Sequence, residues 1–352
     1  MTKTKKHKKS LFTKIIVVLA IIFSVVIASM VYNYYQKIYK PNVNINNKDE
    51  YIYIPTGSSF DDVVNILEKE QILIDVSSFE WLAEIKKYKN NVKPGRYRIK
   101  KGMNNNELIN LLRSGKQEPV KVVIRGFRNY KYLAGSLAKK IESDSLSIIE
   151  VFENELIAKK YGFTPETFIT IVIPNTYEFF WNTSAEEFVE RMAKEYKKFW
   201  TEERKNKAKE IGLSQTEVAI LASIVQCETN KTDEMPDIAG VYINRLRKGM
   251  LLQADPTVVY AIGDFGIQRV LQKHLSYDSP YNTYIYPGLP PGPICIPYIH
   301  SINAVLNYNK HNYLYFCACD DFSGYHTFAK TLEEHLANAR KYQRALNKMN
   351  IK

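Results

Sequence analysis

The chain has 352 residues, 45% hydrophobic and 24% charged, an ordinary globular balance with room for two or three domains with their own cores. Its formal charge is +12, but six lysines crowd into the first 14 residues, and about +6 is left on the remainder. That bias suits an anionic polymer or a membrane surface and forms no basic stripe of the kind that binds nucleic acid. Four cysteines are too few for a disulfide scaffold in a chain this long.

Residues 1–14 read as a basic cytoplasmic tail, with Lys3, Lys5, Lys6, Lys8, Lys9 and Lys14. An uncharged run follows, and residues 15–35 are long enough to span a bilayer as one helix. Tyr32, Tyr34 and Tyr35 stand where an aromatic belt would meet the interface. The lysine bias keeps the N-terminus inside, so everything beyond about residue 35 is expected outside. The run is long for a signal peptide and no small-x-small cleavage site follows it, so an uncleaved anchor is the expectation. Residues 36–50 are polar and Asn-rich and read as a linker.

An internal repeat comes next. Ile54-Pro55-Thr56-Gly57 leads into Asp62-Val63-Val64-Asn65-Ile66-Leu67, and 45 residues later Ile99-Lys100-Lys101-Gly102 leads into Glu107-Leu108-Ile109-Asn110-Leu111-Leu112. Each copy reads as a short strand, a Gly turn, a polar cap and an amphipathic helix. Two such units make a small α+β module over residues 51–120, which resembles the LysM-like domains that bind N-acetylglucosamine-containing glycans. Residues 121–210 are mostly helical in pattern, as in 132–141 and 185–199, interrupted by a turn at Pro174-Asn175-Thr176-Tyr177 ahead of Phe179-Phe180-Trp181.

The segment 211–352 is densest in Pro, Gly and Tyr, and carries the candidate chemistry. Ser214 and Glu217 form a Ser-x-x-Glu capping box. Val218, Leu221, Ile224, Val225 and Glu228 then follow the spacing of one helical face, which sets Glu228 at the edge of the core. A partly desolvated carboxyl there would hold its proton near neutral pH. Val241 to Leu246 reads as a further helix, with Gly249 closing it. Taken singly, the stretches that follow have dull explanations: Asp255-Pro256 starts a turn, Asn282 and Thr283 form turns, and His326 is as readily structural as functional. Cys317 and Cys319 share a face of the strand-like run 313–319 and read as core thiols, since no His or Cys partners stand at metal-site spacing.

Together these stretches are specific. Residues 222–229, 243–250 and 252–261, then Tyr281-Asn282-Thr283-Tyr284, Gly288-Leu289-Pro290-Pro291-Gly292-Pro293-Ile294 and His326-Thr327-Phe328, occur in an order that resembles the endolytic murein transglycosylases, the MltG or YceG-like family. The short basic tail, the single anchor, the Pro94-Gly95-Arg96-Tyr97 element and the Pro-x-Thr-Tyr at 174–177 agree, so the resemblance runs from about residue 12 to 345.

It implies an α+β fold: one transmembrane helix, a LysM-like module, a helical connecting region and a mixed catalytic domain whose Glu228 helix lies beneath a β-rich loop region. It implies an enzyme of the cell (inner) membrane, a peptidoglycan lytic transglycosylase acting outside it on glycan strands between N-acetylmuramic acid and N-acetylglucosamine to leave 1,6-anhydro ends. Glu228 would be the acid and then the base, with Asn244, Gln253, Asp255, Thr257, Tyr281, Asn282 and His326 orienting substrate. No metal or cofactor is implied, and the partners would be membrane proteins of wall synthesis. The family pattern has Glu-x-Glu at this helix, and here Gln226 occupies the first position. Position 226 lies about 160° around the helix from 228, so the change is expected to be tolerable. Two rival readings remain: hydrolysis with Asp255 as a second carboxylate, and a glycan-binding scaffold without catalysis.

Overall fold

The structure, a computed structural model, describes residues 3–348, with side chains from residue 11 onward. The lysines at 3, 5, 6, 8 and 9 therefore lie outside the described side chains. The chain divides into two compact units: residues 1–120 with 180–182, and residues 121–179 with 183–352. About half of the described residues are helical, and among them the strands form three two-stranded sheets.

The first unit begins with helix α1 (Lys3–Tyr39). Over the 29 residues Leu11–Tyr39 it is long and apolar enough to cross a membrane, and its apolar side chains, Phe23 and Val31 among them, face outward. At about 1.5 Å per residue that stretch spans roughly 43 Å, against about 30 Å of hydrocarbon. Its last turns are fixed into the unit. Tyr34 stacks on Trp81 with ring centroids 5.4 Å apart, Ile38 packs on the core, and the Lys37 carbonyl accepts a 2.9 Å hydrogen bond from Asn105 Nδ2.

The module then runs β1 (Asp49–Ile54), α2 (Phe60–Lys69), α3 (Val76–Ile85), β2 (Gly95–Lys100), α4 (Asn105–Ser114). Strands β1 and β2 pair antiparallel, Asp49 opposite Lys100 and Ile54 opposite Gly95. The internal repeat has a physical meaning. In each copy the strand ends at a glycine in the left-handed region, Gly57 (φ 85°) and Gly102 (φ 79°). The acid shared by the copies is the third helical residue of a capping box, Ser59 with Asp62 and Asn104 with Glu107. Helix α3 stands between the copies; Asp75 caps it, and it sends Phe79, Leu82 and Ala83 into the core.

The stretch expected as a linker is part of this core. Val43 and Ile45 are buried, and the Asn42 side chain bonds to Asn105 Oδ1, the Asp75 carbonyl and the Asp75 amide. Asparagines that read as solvated are instead satisfied by buried amide pairing.

The second unit opens with β3 (Val120–Val123), continues through α5 (Tyr130–Leu137), α6 (Ser145–Glu153) and α7 (Glu155–Lys160), and returns in β4 (Thr176–Phe179), which pairs with β3. The expected turn at 174–177 is thus partly strand, anchored where the Tyr177 hydroxyl donates to the Ile173 carbonyl at 2.7 Å. Helix α8 (Ala185–Phe199) and α9 (Glu202–Ile211) follow. Then come α10 (Gln215–Glu228), α11 (Met235–Arg247), α12 (Asp255–Ile262), the one-turn α13 (Gln272–Leu275) and α14 (Ile299–Leu306). The hairpin β5 (Tyr315–Ala318) with β6 (His326–Ala329) and helix α15 (Leu332–Lys348) complete it.

Helix α10 is the axis of this core. Every residue from 218 to 225 is buried, not one face alone, because Ala219, Ala222 and Ser223 are small enough to admit α11 and α14 closely. The β-rich region expected above it reduces to the β5–β6 hairpin; residues 276–298 carry no regular strand or helix. Cys317 and Cys319, expected as core thiols, are only partly buried on that hairpin.

Candidate active site

The site assembles at the C-terminal end of α10. Ser214 and Glu217 cap the helix start as expected, and Glu228 is the last helical residue, so the chain leaves in extended form at Thr229. Glu228 Oε1 accepts a 2.6 Å hydrogen bond from the hydroxyl of Tyr242, buried on α11. Burial pushes the Glu228 pKa up to about 7. The Tyr242 hydrogen bond and the Arg245 charge oppose the rise, and the like charge of Asp255 adds to it. A carboxyl poised there can both give and take a proton at neutral pH.

Asp255 begins α12, and its Oδ1 accepts a 2.5 Å hydrogen bond from the Tyr284 hydroxyl. Glu228 and Asp255 together border two cavities. One, of about 570 Å³, is lined also by Arg128, Asn230, Phe265, Arg269 and Cys295. The other, of about 410 Å³, is lined also by Tyr242, Gln253, Tyr284, Tyr315, Phe316 and His335. The carboxylates thus stand on a divide with open space on both sides, an arrangement for a chain-like substrate extending in two directions.

The back wall is tied to backbone carbonyls. Buried Arg245 donates through Nε to the Leu314 carbonyl at 2.6 Å and through Nη1 to the Leu252 carbonyl at 2.8 Å and to Gln253 Oε1 at 3.2 Å. Gln253 holds a left-handed backbone (φ 53°), a conformation costly outside glycine that persists only where the surroundings enforce it. Here its amide donates to the Thr283 carbonyl at 3.0 Å.

Of the residues expected to orient substrate, Gln253 and Asp255 meet Glu228 at the second cavity. The others lie outside the lining of both cavities and hold the walls. Thr257, fully buried, shares a 2.8 Å hydroxyl bond with Thr283. Asn282, also fully buried, donates to the Leu275 and Tyr277 carbonyls at 3.0 and 2.8 Å and accepts from the Tyr284 amide at 3.0 Å. Tyr281 packs on Tyr260 with centroids 4.8 Å apart. Asn244 donates to the His311 and Tyr313 carbonyls at 2.8 and 3.0 Å. His326 Nδ1 pairs with Glu234 at 2.8 Å, and Glu234 also accepts from Thr229, the residue after Glu228.

The Pro-rich loop is held against the helix. Ser223 Oγ accepts from the Ile294 amide at 3.0 Å. A Cβ on Gly292 would come within 2.3 Å of the Glu166 carbonyl oxygen, so only glycine fits there. Gln226 acts as a bracket: its Oε1 accepts from the Tyr298 amide at 2.5 Å and Ser301 Oγ at 3.1 Å, while Nε2 faces the Ile296 carbonyl and Cys295 Sγ. Its polar atoms are spent on this loop and on α14, and the side chain lines the larger cavity together with Glu228 and Asp255. Cys227 and Cys295 bring their sulfurs to 3.7 Å at the floor of the larger cavity.

Sequence reasoning passed over Tyr242, Tyr284, Arg245 and Arg128. Tyr242 carries a detectable signal, since it lies on the helix after Glu228 among apolar neighbours, where a buried tyrosine needs an acceptor. Arg128 has none, being about 100 residues from Glu228.

Residues 52–341 match the model of the YceG-like family. The endolytic murein transglycosylase of Bacillus subtilis (strain 168) is 33% identical over 325 residues, covering 86% of this chain and 85% of the relative. That of Streptococcus pneumoniae (strain D39) is 27% identical, covering 82% of this chain and 57% of the relative. The crystal structure of a YceG-like protein from Listeria monocytogenes superposes with a TM-score of 0.55 at 30% identity, covering 82% of this chain and 98% of that one.

Proposed function

Because the chain belongs to the YceG-like family, we propose that it is a membrane-anchored endolytic transglycosylase of peptidoglycan. The observation that carries the reading is Glu228, with a pKa of about 7, on the divide between two cavities. The names of the relatives support murein as the substrate.

In this mechanism protonated Glu228 gives its proton to the oxygen linking N-acetylmuramic acid to N-acetylglucosamine, and the bond from that oxygen to the anomeric carbon breaks. The resulting carboxylate accepts the proton of the muramyl 6-hydroxyl as its oxygen bonds to the anomeric carbon. The product end is a 1,6-anhydro ring, and Glu228 is protonated again. The intramolecular nucleophile gains from proximity and needs no positioned water. The Tyr242 hydroxyl steadies the carboxylate while it exists. Cavities on both sides of the carboxylates support cleavage within a strand.

Asp255 favours a second reading. It borders both cavities with Glu228 and is close enough to raise its pKa. Two carboxylates flanking one bond are the usual equipment for glycoside hydrolysis, in which water would take the place of the 6-hydroxyl. In the wider proposal α1 is the anchor, its basic end cytoplasmic and both units outside. The first unit serves as the LysM-like, glycan-facing module, and the partners are membrane proteins of wall synthesis.

The test is a digest of purified peptidoglycan by the full chain in detergent, wild type beside Glu228→Gln, with the ends read by mass spectrometry. Anhydro ends from wild type and none from the variant support the transglycosylase. Reducing ends select hydrolysis with Asp255. Binding without cleavage by the wild type selects a scaffold.

A further inference from the structure

The two cavities beside Glu228 differ in chemistry. The smaller is walled by tyrosine and phenylalanine rings with Gln253 and His335, and its one cation, Arg245, is buried and spends its donors on backbone carbonyls. Such a wall suits the uncharged face of an acetamido sugar. The larger carries two exposed guanidinium groups, Arg128 and Arg269, with Gln268 and Asn230 beside them.

Arg128 is not a loose surface charge. Its guanidinium lies 4.3 Å over the Phe265 ring, which orients its plane. At the floor of the cavity the hydrogen bond between the two thiols lowers the Cys227 pKa and raises that of Cys295, and the Arg128 charge reaches both with a smaller downward pull. Among the described residues neither arginine has a carboxylate within ion-pair distance. Among the described residues the acids lining this cavity are Glu228 and Asp255, and Asp255 is engaged by Tyr284. Two uncompensated guanidinium groups in a cleft that binds a polymer call for an anion on that polymer.

In murein every second sugar carries, through its lactyl ether, a peptide with free carboxylates. We propose that Arg128 and Arg269 form a carboxylate-binding subsite for the peptide stem of a muramyl residue seated in the larger cavity, so that the enzyme acts preferentially on strands that still bear their stems. The assignment rests on the murein reading above and adds to it a substrate preference and the residues that set it.

The experiment uses the full chain in detergent and two forms of one substrate: purified glycan strands freed of phosphate-bearing wall polymers, either with stems or stripped of them by an amidase. The measured quantity is the ratio of kcat/KM on the two forms. Wild type is expected to favour stem-bearing strands, and Arg128→Ala and Arg269→Ala each to cut the ratio about fivefold, the scale of one exposed ion pair. The effect should sit in KM and shrink at high salt. Arg128→Lys, which keeps the charge and loses the planar fork, is expected to fall between wild type and alanine, and serves where the alanine variant does not fold. A wild-type ratio of one, or a ratio that neither arginine changes, overturns the subsite. A preference that persists only when the phosphate-bearing polymers are left on the strands assigns the cavity to phosphate and overturns it too. No cleavage of either form by wild type sinks the murein reading itself, an outcome distinct from an unselective enzyme.

Discussion

Replacing Glu228 by glutamine should make the second unit more stable as it makes the enzyme inactive, and the gain should depend on pH. Glutamine keeps an acceptor for the Tyr242 hydroxyl and the volume of the side chain. It removes a group whose pKa is about 7 in the fold against an ordinary carboxyl value of 4.5. A raised carboxyl pKa means that the fold favours the protonated form. The wild type therefore suffers no penalty below about pH 4.5, and loses stability progressively as pH rises from there to about 7. The difference of about 2.5 units corresponds to roughly 3 kcal/mol, fully developed above neutrality. For a unit of this size that is an upward shift in Tm of about 6 °C or more at pH 8, shrinking to nothing near pH 4. The assay is thermal unfolding of both full-length proteins across that range. A Tm difference independent of pH, or a variant less stable than wild type at pH 8, would refute the claim that burial holds this carboxyl neutral.

Other expectations follow from the same contacts. Turnover of the wild type should fall as pH rises through about 7, since the proton donor is lost; a rate that climbs steadily to pH 9 would exclude Glu228 as the acid. Tyr242→Phe removes a hydrogen bond that favours the carboxylate, so the alkaline limb of the pH–rate profile should move up, with a stability cost of about 1 kcal/mol. Asp255→Asn removes the like charge, so that limb should move down while anhydro ends persist; if the products carry reducing ends and the variant is dead, Asp255 is a second catalytic carboxylate. Asn282→Ala leaves two carbonyls and an amide of a half-buried loop without their side-chain partner and should cost about 1–2 kcal/mol in denaturant melts, a loss that a purely substrate-binding asparagine would not cause.

What was legible in the sequence was what local physics determines. The capping box before α10 and its termination at Glu228 follow from helical geometry and cap chemistry. The module's repeat was visible because two glycines and two capping boxes recur at one spacing. What escaped depends on contacts across the chain. No spacing rule joins Tyr284 to Asp255 or Arg128 to the floor beside Cys227, because loops set both meetings. Asn42 misled for the opposite reason: a polar composition reads as solvated, and only the facing Asn105 and Asp75 show that it is buried. The same distinction separates Asn282 and Thr257 from Gln253. All three lie in motifs that look functional and all three bond to the protein itself, but only Gln253 also lines a cavity beside Glu228.

The junction of α1 with the first unit bears on mechanics. An anchor joined through a loose segment would be a tether, leaving its cargo free to drift toward or away from the bilayer. Here the apolar helix runs on without a break to Tyr39, and its end is bonded by Asn105 and stacked on Trp81. With α1 as the proposed anchor this makes a stiff stalk: a tilt or turn of the helix would tilt or turn the β1–β2 module with it. On that proposal the module's height above the membrane would be a built-in length, set by helix geometry and not by chain entropy, and inserting a few residues after Tyr39 would change reach and azimuth together.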